Sequence, residues 1–160
     1  MASPAKHSVL FICLGNICRS PIAEAVFLRL IKEKKEEKNW DVDSAAMGDY
    51  HTGQGPNERT LRTLKKFGIT DYKHKVRQIT TQDFDKFDYI FGMDHENMSD
   101  LDNVKPKNCK AKIVMLGEYD PEKELIIVDP YFGDDMRDFD KVYEQCCRCC
   151  EGFLKAVTGS

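Results

Sequence analysis

The chain predicts an α/β fold: one domain over residues 1–160, built on a doubly wound, four-stranded parallel sheet with helices on both faces and an anion-binding loop after the first strand. Three observations carry this. Short, continuous apolar runs alternate with stretches of helical periodicity, the pattern of parallel strands joined by right-handed crossovers. The first run, Val9-Leu10-Phe11-Ile12, enters a loop containing glycine and asparagine and leaves it through a proline-started helix. The length of 160 residues suits one domain with a core large enough to need no disulfide staples.

In order along the chain, residues 8–12 read as a central strand covered on both faces, since no polar residue alternates with its apolar ones. From Pro21 to about Lys34 the apolar positions Ile22, Ala23, Val26, Phe27, Leu30 and Ile31 describe a helix packed deep against the sheet. Ser20 just before the proline is a good N-cap, and the mixed charge run over 32–38 is a solvated helix end. Residues 41–46 (DVDSAA) form a second strand, followed by a glycine-bearing connection over 47–56 of the kind that sets specificity. Asn57 caps a helix through Phe67, closed by Gly68.

Residues 73–77 are a polar stretch holding His74, and 81–84 suit a single helical turn. A third strand covers 87–93, and a short helix opens at Asp94 and runs to about Leu101. The fourth strand is 112–116. The apolar run at 125–128 is stopped by Asp129-Pro130, because proline restricts its predecessor and ends pairing. A last helix over about 135–157 repeats Phe139, Val142, Tyr143, Cys146, Cys149, Phe153 and Val157 at three- and four-residue steps.

The chemistry concentrates in Cys13-Leu14-Gly15-Asn16-Ile17-Cys18-Arg19-Ser20-Pro21. Five residues separate Cys13 from Arg19, enough for a loop to curl around one tetrahedral anion with both side chains reaching it. Gly15 takes positive φ without cost and Asn16 tolerates it, so successive N–H groups can turn inward as a nest. Arg19 adds a planar fork matched to two oxygens, which lysine lacks. Beside a guanidinium and a helix N-terminus, the Cys13 sulfur is favoured as thiolate, a nucleophile placed beneath a bound phosphoryl group. Competing readings are a packed thiol at a strand end, a nucleotide loop and a metal site. The G-x-x-x-x-G-K-[ST] and G-x-G-x-x-G patterns are absent, and no Cys/His pair at finger spacing accompanies Cys13 and Cys18.

Composition narrows the partners. A net charge of −3 argues against a general nucleic-acid binder, and no run of about 18 apolar residues is present to span a membrane. The opening MASPAKHS lacks an apolar leader, and seven cysteines, an odd number, read as reduced thiols of a cytoplasmic protein. The Cys146-Cys147-Arg148-Cys149-Cys150 cluster points in several directions around a helix, so buried packing is expected there and no metal.

CLGNICRSPIAEA, with DPYF at 129–132, VDSAA at 42–46 and FDYI at 87–90, resembles the low-molecular-weight protein tyrosine phosphatase family, in its eukaryotic form. The resemblance spans essentially the whole chain and implies the same four-stranded doubly wound sheet. It also implies a phosphatase of phosphotyrosine in proteins and of small aryl phosphates, working through a cysteinyl-phosphate without cofactor or metal. Cys13 would be the nucleophile, Arg19 would hold the phosphoryl oxygens, and Asp129, otherwise an ordinary Asp-Pro turn, would be the general acid and then the base. Ser20 would donate its hydroxyl to the sulfur besides capping the helix. Asn16 would brace the loop in a network with Ser44, His74 and Asp94. Tyr50, Tyr131 and Phe132 would wall the aromatic ring, and Cys18 would protect Cys13 by a reversible disulfide. Phosphate-like oxyanions are expected as inhibitors, and the protein as a monomer. The rivals are an arsenate reductase or a protein arginine phosphatase on the same fold, or a phosphate-binding adaptor without turnover.

Overall fold

The computed structural model describes residues 6–159, so the expectation for the N-terminal segment falls partly on residues outside the described ones. Strand β1 (His7–Cys13) is the spine of the sheet. It pairs in parallel with β2 (Trp40–Ala46) from His7↔Trp40 to Cys13↔Ala46, and on its other edge with β3 (Tyr89–Gly92), which in turn pairs with β4 (Lys112–Met115). The order is β2-β1-β3-β4, all parallel. Successive side chains of a strand face opposite ways, so Val9 and Phe11 enter one core layer while Leu10 and Ile12 enter the other. That explains why the β1 run is apolar throughout.

The larger layer packs α1 (Arg19–Glu33), α2 (Glu58–Lys66) and α5 (Met136–Thr158) against the sheet, around Phe11, Phe27, Phe91 and Phe153. The smaller one holds α3 (Asp83–Lys86) and α4 (His95–Val104), with Phe84, Phe87, Ile90 and Leu101. Cys146, Cys149 and Cys150 are fully buried along α5, as their helical spacing predicts.

Three local expectations shift. Helix α1 begins at Arg19, with Cys18 at the N-cap position and no side-chain cap, so Ser20 is inside the helix rather than its cap. A residue already in the first turn cannot fold its hydroxyl back onto the next amides, and this one is used elsewhere. The single turn expected at 81–84 forms at Asp83–Lys86, where the Asp83 carboxylate accepts from the Thr80 amide (2.8 Å). The third strand is shorter than 87–93 because Phe87 closes α3 and Met93 leaves the ladder for the turn before α4. The 125–128 run pairs in no strand, yet the Ile127 amide donates to the Met93 carbonyl (3.0 Å), which docks the segment carrying Asp129 beside the end of β3.

The chain leaves β1 to one side for β2 and later returns to its other side with β3. Such a switch point opens a crevice beyond the carboxyl ends of the strands. Cys13 ends β1 at that crevice.

Candidate active site

The loop 13–19 wraps the base of an open cleft of about 300 Å³. Cys13, Leu14, Gly15, Ile17 and Cys18 form its floor; Asp129, Tyr131 and Phe132 stand on one side, Tyr50 and His51 on another. Asn16 takes the left-handed conformation (φ 58°), not Gly15. Gly15 serves a different need: a Cβ there would lie 3.1 Å from His51 Cδ2. The loop is tied to its neighbours through backbone. Met47 and Gly48 amides donate to the Cys13 and Leu14 carbonyls (3.0 and 3.1 Å), and the Asn57 amide and Thr60 hydroxyl both donate to the Ile17 carbonyl (3.0 and 2.7 Å).

Asn16 is fully buried and explains its own strained backbone. Its amide nitrogen donates to Ser20 Oγ (2.8 Å) and Ser44 Oγ (3.0 Å), while its oxygen lies 2.7 Å from His74 Nε2. Ser20 Oγ, having accepted from Asn16, keeps its hydrogen for Cys13 Sγ at 3.0 Å, and the Ser20 amide approaches the same sulfur at 3.5 Å. The brace continues inward: Ser44 and Tyr72 hydroxyls donate to Glu24 Oε1 (2.7 and 2.6 Å), and His74 Nδ1 lies 3.4 Å from it. Burial pushes the Glu24 carboxyl up to about 7, against the pull of those two hydroxyls, and pushes the His74 imidazole below its usual value. Both directions favour a neutral pair in which His74 Nε2–H donates to Asn16. Glu24, Asp43 and His74 place ligand-type atoms within 4.8 Å of one another, but the Glu24 and His74 atoms are committed to this brace.

Asp94 stands apart from that network, contrary to expectation. It caps α4 by accepting from the Asn97 amide (2.8 Å) and holds Arg19 Nη1 at 2.6 Å. Arg19 is 2 % exposed; Nη1 also donates to the Ile127 carbonyl (2.9 Å), and Nη2 lies 3.6 Å from Asp129 Oδ2. Its Nε is buried without a partner. Nη1 is thus saturated, whereas Nε has no partner and Nη2 has only the longer approach to Asp129, an arrangement that burial tolerates poorly unless an acceptor arrives. Asp129 Oδ1 accepts from the Tyr131 amide (3.0 Å), which fixes the carboxyl at the rim. Phe132 is 81 % exposed and Tyr50 68 %, so these rings have faces free for a ligand. Cys18 lies in the same cleft, its thiol pushed up to about 12 by burial.

The site thus brings Cys13 and Asp129 to one cleft, with Ser20 against the Cys13 sulfur and Arg19 beside Asp129, and Asn16, Ser44 and His74 to one brace behind it. Sequence reasoning missed His51, Glu24, Tyr72 and Arg59. Glu24 left a trace: it follows Ser20 by four residues on the same face of an otherwise apolar helix, where a lone acid needs a buried partner. Arg59 and Tyr72 left none, because their partners lie far away in the chain.

A parallel doubly wound sheet with an amide-and-guanidinium cup at the end of its first strand defines an oxyanion-binding α/β protein with a cysteine at the floor. Comparison with known proteins gives the family. The chain belongs to the low molecular weight phosphotyrosine protein phosphatase family, whose model matches residues 8–160. It is 52 % identical over 159 residues to the low molecular weight phosphotyrosine protein phosphatase of Sus scrofa, covering 98 % of this chain and 99 % of that one. The crystal structure of a protein tyrosine phosphatase from Entamoeba histolytica superposes with a TM-score of 0.89 at 34 % identity, over 96 % of this chain and 99 % of that one. A Drosophila arginine phosphatase superposes with a TM-score of 0.88 at 38 % identity, over 94 % and 97 %.

Proposed function

We propose that this protein tyrosine phosphatase transfers the phosphoryl group of phosphotyrosine, or of a small aryl phosphate, to Cys13. The observation that carries the proposal is that Cys13 and Asp129 line one cleft while the buried Arg19, whose Nε has no partner, reaches Asp129 Oδ2 with Nη2 at 3.6 Å. Cys13 sulfur forms the bond to phosphorus as the bond to the aryl oxygen breaks, and Asp129 gives that oxygen its proton. General acids of this kind contribute about 10²- to 10⁴-fold. Arg19 and the loop amides hold the equatorial oxygens. Water, relieved of a proton by Asp129, then attacks phosphorus and releases inorganic phosphate, while the Ser20 hydroxyl stabilises the departing sulfur.

Tyr131, Phe132 and Tyr50 stack on the substrate ring. Phosphate-like oxyanions inhibit by filling the cup. Cys18 guards the nucleophile: after a peroxide converts Cys13 to a sulfenic acid, the Cys18 thiol displaces water to close a reducible disulfide. The protein acts in the cytoplasm, as a monomer and as one domain. The open aromatic walls favour an aryl over a guanidinium leaving group. Among the described residues, no cysteine besides Cys13 and Cys18 lines the cleft to relay oxidation as an arsenate reductase requires.

The test is a rapid-quench search for cysteinyl-phosphate with phosphotyrosine as substrate. An acid-labile phosphoenzyme at Cys13, formed and consumed within a turnover, is expected. Turnover without it, or faster turnover of phosphoarginine, overturns the reading.

A further inference from the structure

The first turn of α2 holds two loops at once. On one side the Asn57 amide and the Thr60 hydroxyl grip the Ile17 carbonyl of the loop that carries Cys13. On the other, the Arg59 guanidinium donates Nη1–H to the Gly133 carbonyl (2.6 Å) and Nη2–H to the Tyr131 carbonyl (2.7 Å). These two acceptors flank Phe132 and lie in the loop that begins at Asp129. Behind the guanidinium, its carbon sits 4.8 Å from the ring centroid of Phe139, a fully buried residue of α5. The planar fork is therefore clamped between a rigid ring and two carbonyls.

Besides this clamp, the loop 129–134 is held at its start by the buried Pro130 and by Asp129 Oδ2, 3.6 Å from Arg19 Nη2. Past Pro130 the loop is less well seated: Tyr131 is 39 % exposed and Phe132 81 %, and exposed side chains mark a stretch that opens more easily. Within it there are only the short-range contacts of Gly133 N with the Pro130 carbonyl (3.2 Å) and of Tyr131 N with Asp129 (3.0 Å). Its entry is anchored at Ile127, whose carbonyl accepts from Arg19. At the far end, Arg59 provides two charge-assisted bonds to neutral carbonyls in one geometry, which a lysine cannot reproduce.

We propose that Arg59 is a positioning residue for the leaving-group acid: through the Tyr131 and Gly133 carbonyls it sets where Asp129 and the Tyr131 ring stand relative to Cys13. One helical turn, gripping both loops, then fixes the separation between nucleophile and acid. This rests on the role of Asp129 given above.

The experiment measures kcat/KM over a series of aryl phosphates, from 4-nitrophenyl phosphate to phenyl phosphate and phosphotyrosine, for the parent protein, Arg59→Ala, Arg59→Lys and Asp129→Ala. Displacing a catalytic group by about 1 Å costs up to about 100-fold. Arg59→Ala should accordingly lose about 10- to 100-fold on phenyl phosphate and less than about threefold on 4-nitrophenyl phosphate, whose leaving group needs no proton. Inhibition by inorganic phosphate should stay within about twofold, because the cup is untouched, and Arg59→Lys should fall between. The Arg59→Ala/Asp129→Ala double variant should be no steeper than Asp129→Ala, since both act through one proton. Should Arg59→Ala fail to fold, Arg59→Lys, which keeps its charge over Phe139, carries the test. A steep series for Asp129→Ala with parallel or absent losses for both Arg59 variants overturns the positioning role alone. A flat series for Asp129→Ala removes the acid, and the positioning role with it.

Discussion

Arg19 and Asp94 form a 2.6 Å ion pair between the start of α1 and the N-cap of α4, joining loops that leave the carboxyl ends of adjacent strands. Asp94 and the Ile127 carbonyl occupy Nη1, and this leaves Nε and Nη2 as the donors open to a ligand. Asp94→Asn keeps the cap on α4 but withdraws the charge. We expect kcat/KM to fall about 10- to 100-fold through a misoriented Arg19. Stability should drop by about 1–3 kcal/mol, because a buried cation has lost its partner. Urea unfolding with and without saturating phosphate checks the cause: phosphate should restore more stability to the variant than to the parent. An unchanged kcat/KM would show that Arg19 needs no such anchor.

Cys13→Ser tests the floor of the cup. Hydrolysis of aryl phosphates should disappear, as the hydroxyl is a far weaker nucleophile at neutral pH, while inorganic phosphate should bind within about tenfold of the parent affinity through Arg19 and the loop amides. Calorimetric titration with phosphate reads the second outcome. Measurable turnover by the serine variant refutes attack by sulfur.

Gly152 shows how tightly the long helix is seated. It lies within α5, and a Cβ there would fall 2.1 Å from the Tyr119 carbonyl oxygen in the turn after β4. Alanine is the better helix former by about 1 kcal/mol, so an exposed site would gain from the exchange. Here Gly152→Ala should instead destabilise by about 2–4 kcal/mol, since neither backbone can yield without displacing the other. A rise in the thermal midpoint would contradict this packing.

Acid sensitivity should centre in part on Asp120. Arg148 grips both its carboxyl oxygens (3.0 and 3.1 Å), and the Glu122 and Glu124 amides add bonds at 2.9 and 3.2 Å. The Arg148 bond above all holds the Asp120 carboxyl below the usual carboxylate range. A depressed carboxyl stabilises fully above the unfolded value near 4, and that contribution is lost as pH falls through the folded one. Arg148→Met should therefore be less stable than the parent at pH 5–7, with the gap narrowing as the medium is acidified below about 4. Denaturant unfolding across that range measures it; a gap that widens on acidification would place the linkage elsewhere.

Much of the fold was legible because local rules and tertiary demands coincide. The unbroken β1 run required cover on both faces, and the three- and four-residue steps of α5 required one buried stripe. Asn57 and Asp135 cap their helices as short polar residues before apolar periodicity should. Where local rules compete, the outcome was not legible. Ser20 satisfies the composition of an N-cap, yet its hydroxyl is committed to Cys13 and Asn16. Gly15 is the residue freest to take positive φ, yet Asn16 takes it, because only Asn16 has buried partners on three sides to hold it there.

From spacing and residue chemistry the sequence determined the parallel α/β class and the anion loop with its cysteine and arginine, because both are written in patterns within short stretches. The family was legible as a resemblance of motifs spread from Cys13 to Phe132. Tertiary structure alone decided that Asp94 occupies Arg19 Nη1, that Glu24 and Tyr72 stand behind His74, and that Arg59 spans from α2 to the loop of Asp129. These contacts join residues 48 to 75 positions apart. Only the order of strands in the sheet brings them together, and no periodicity along the chain encodes that meeting.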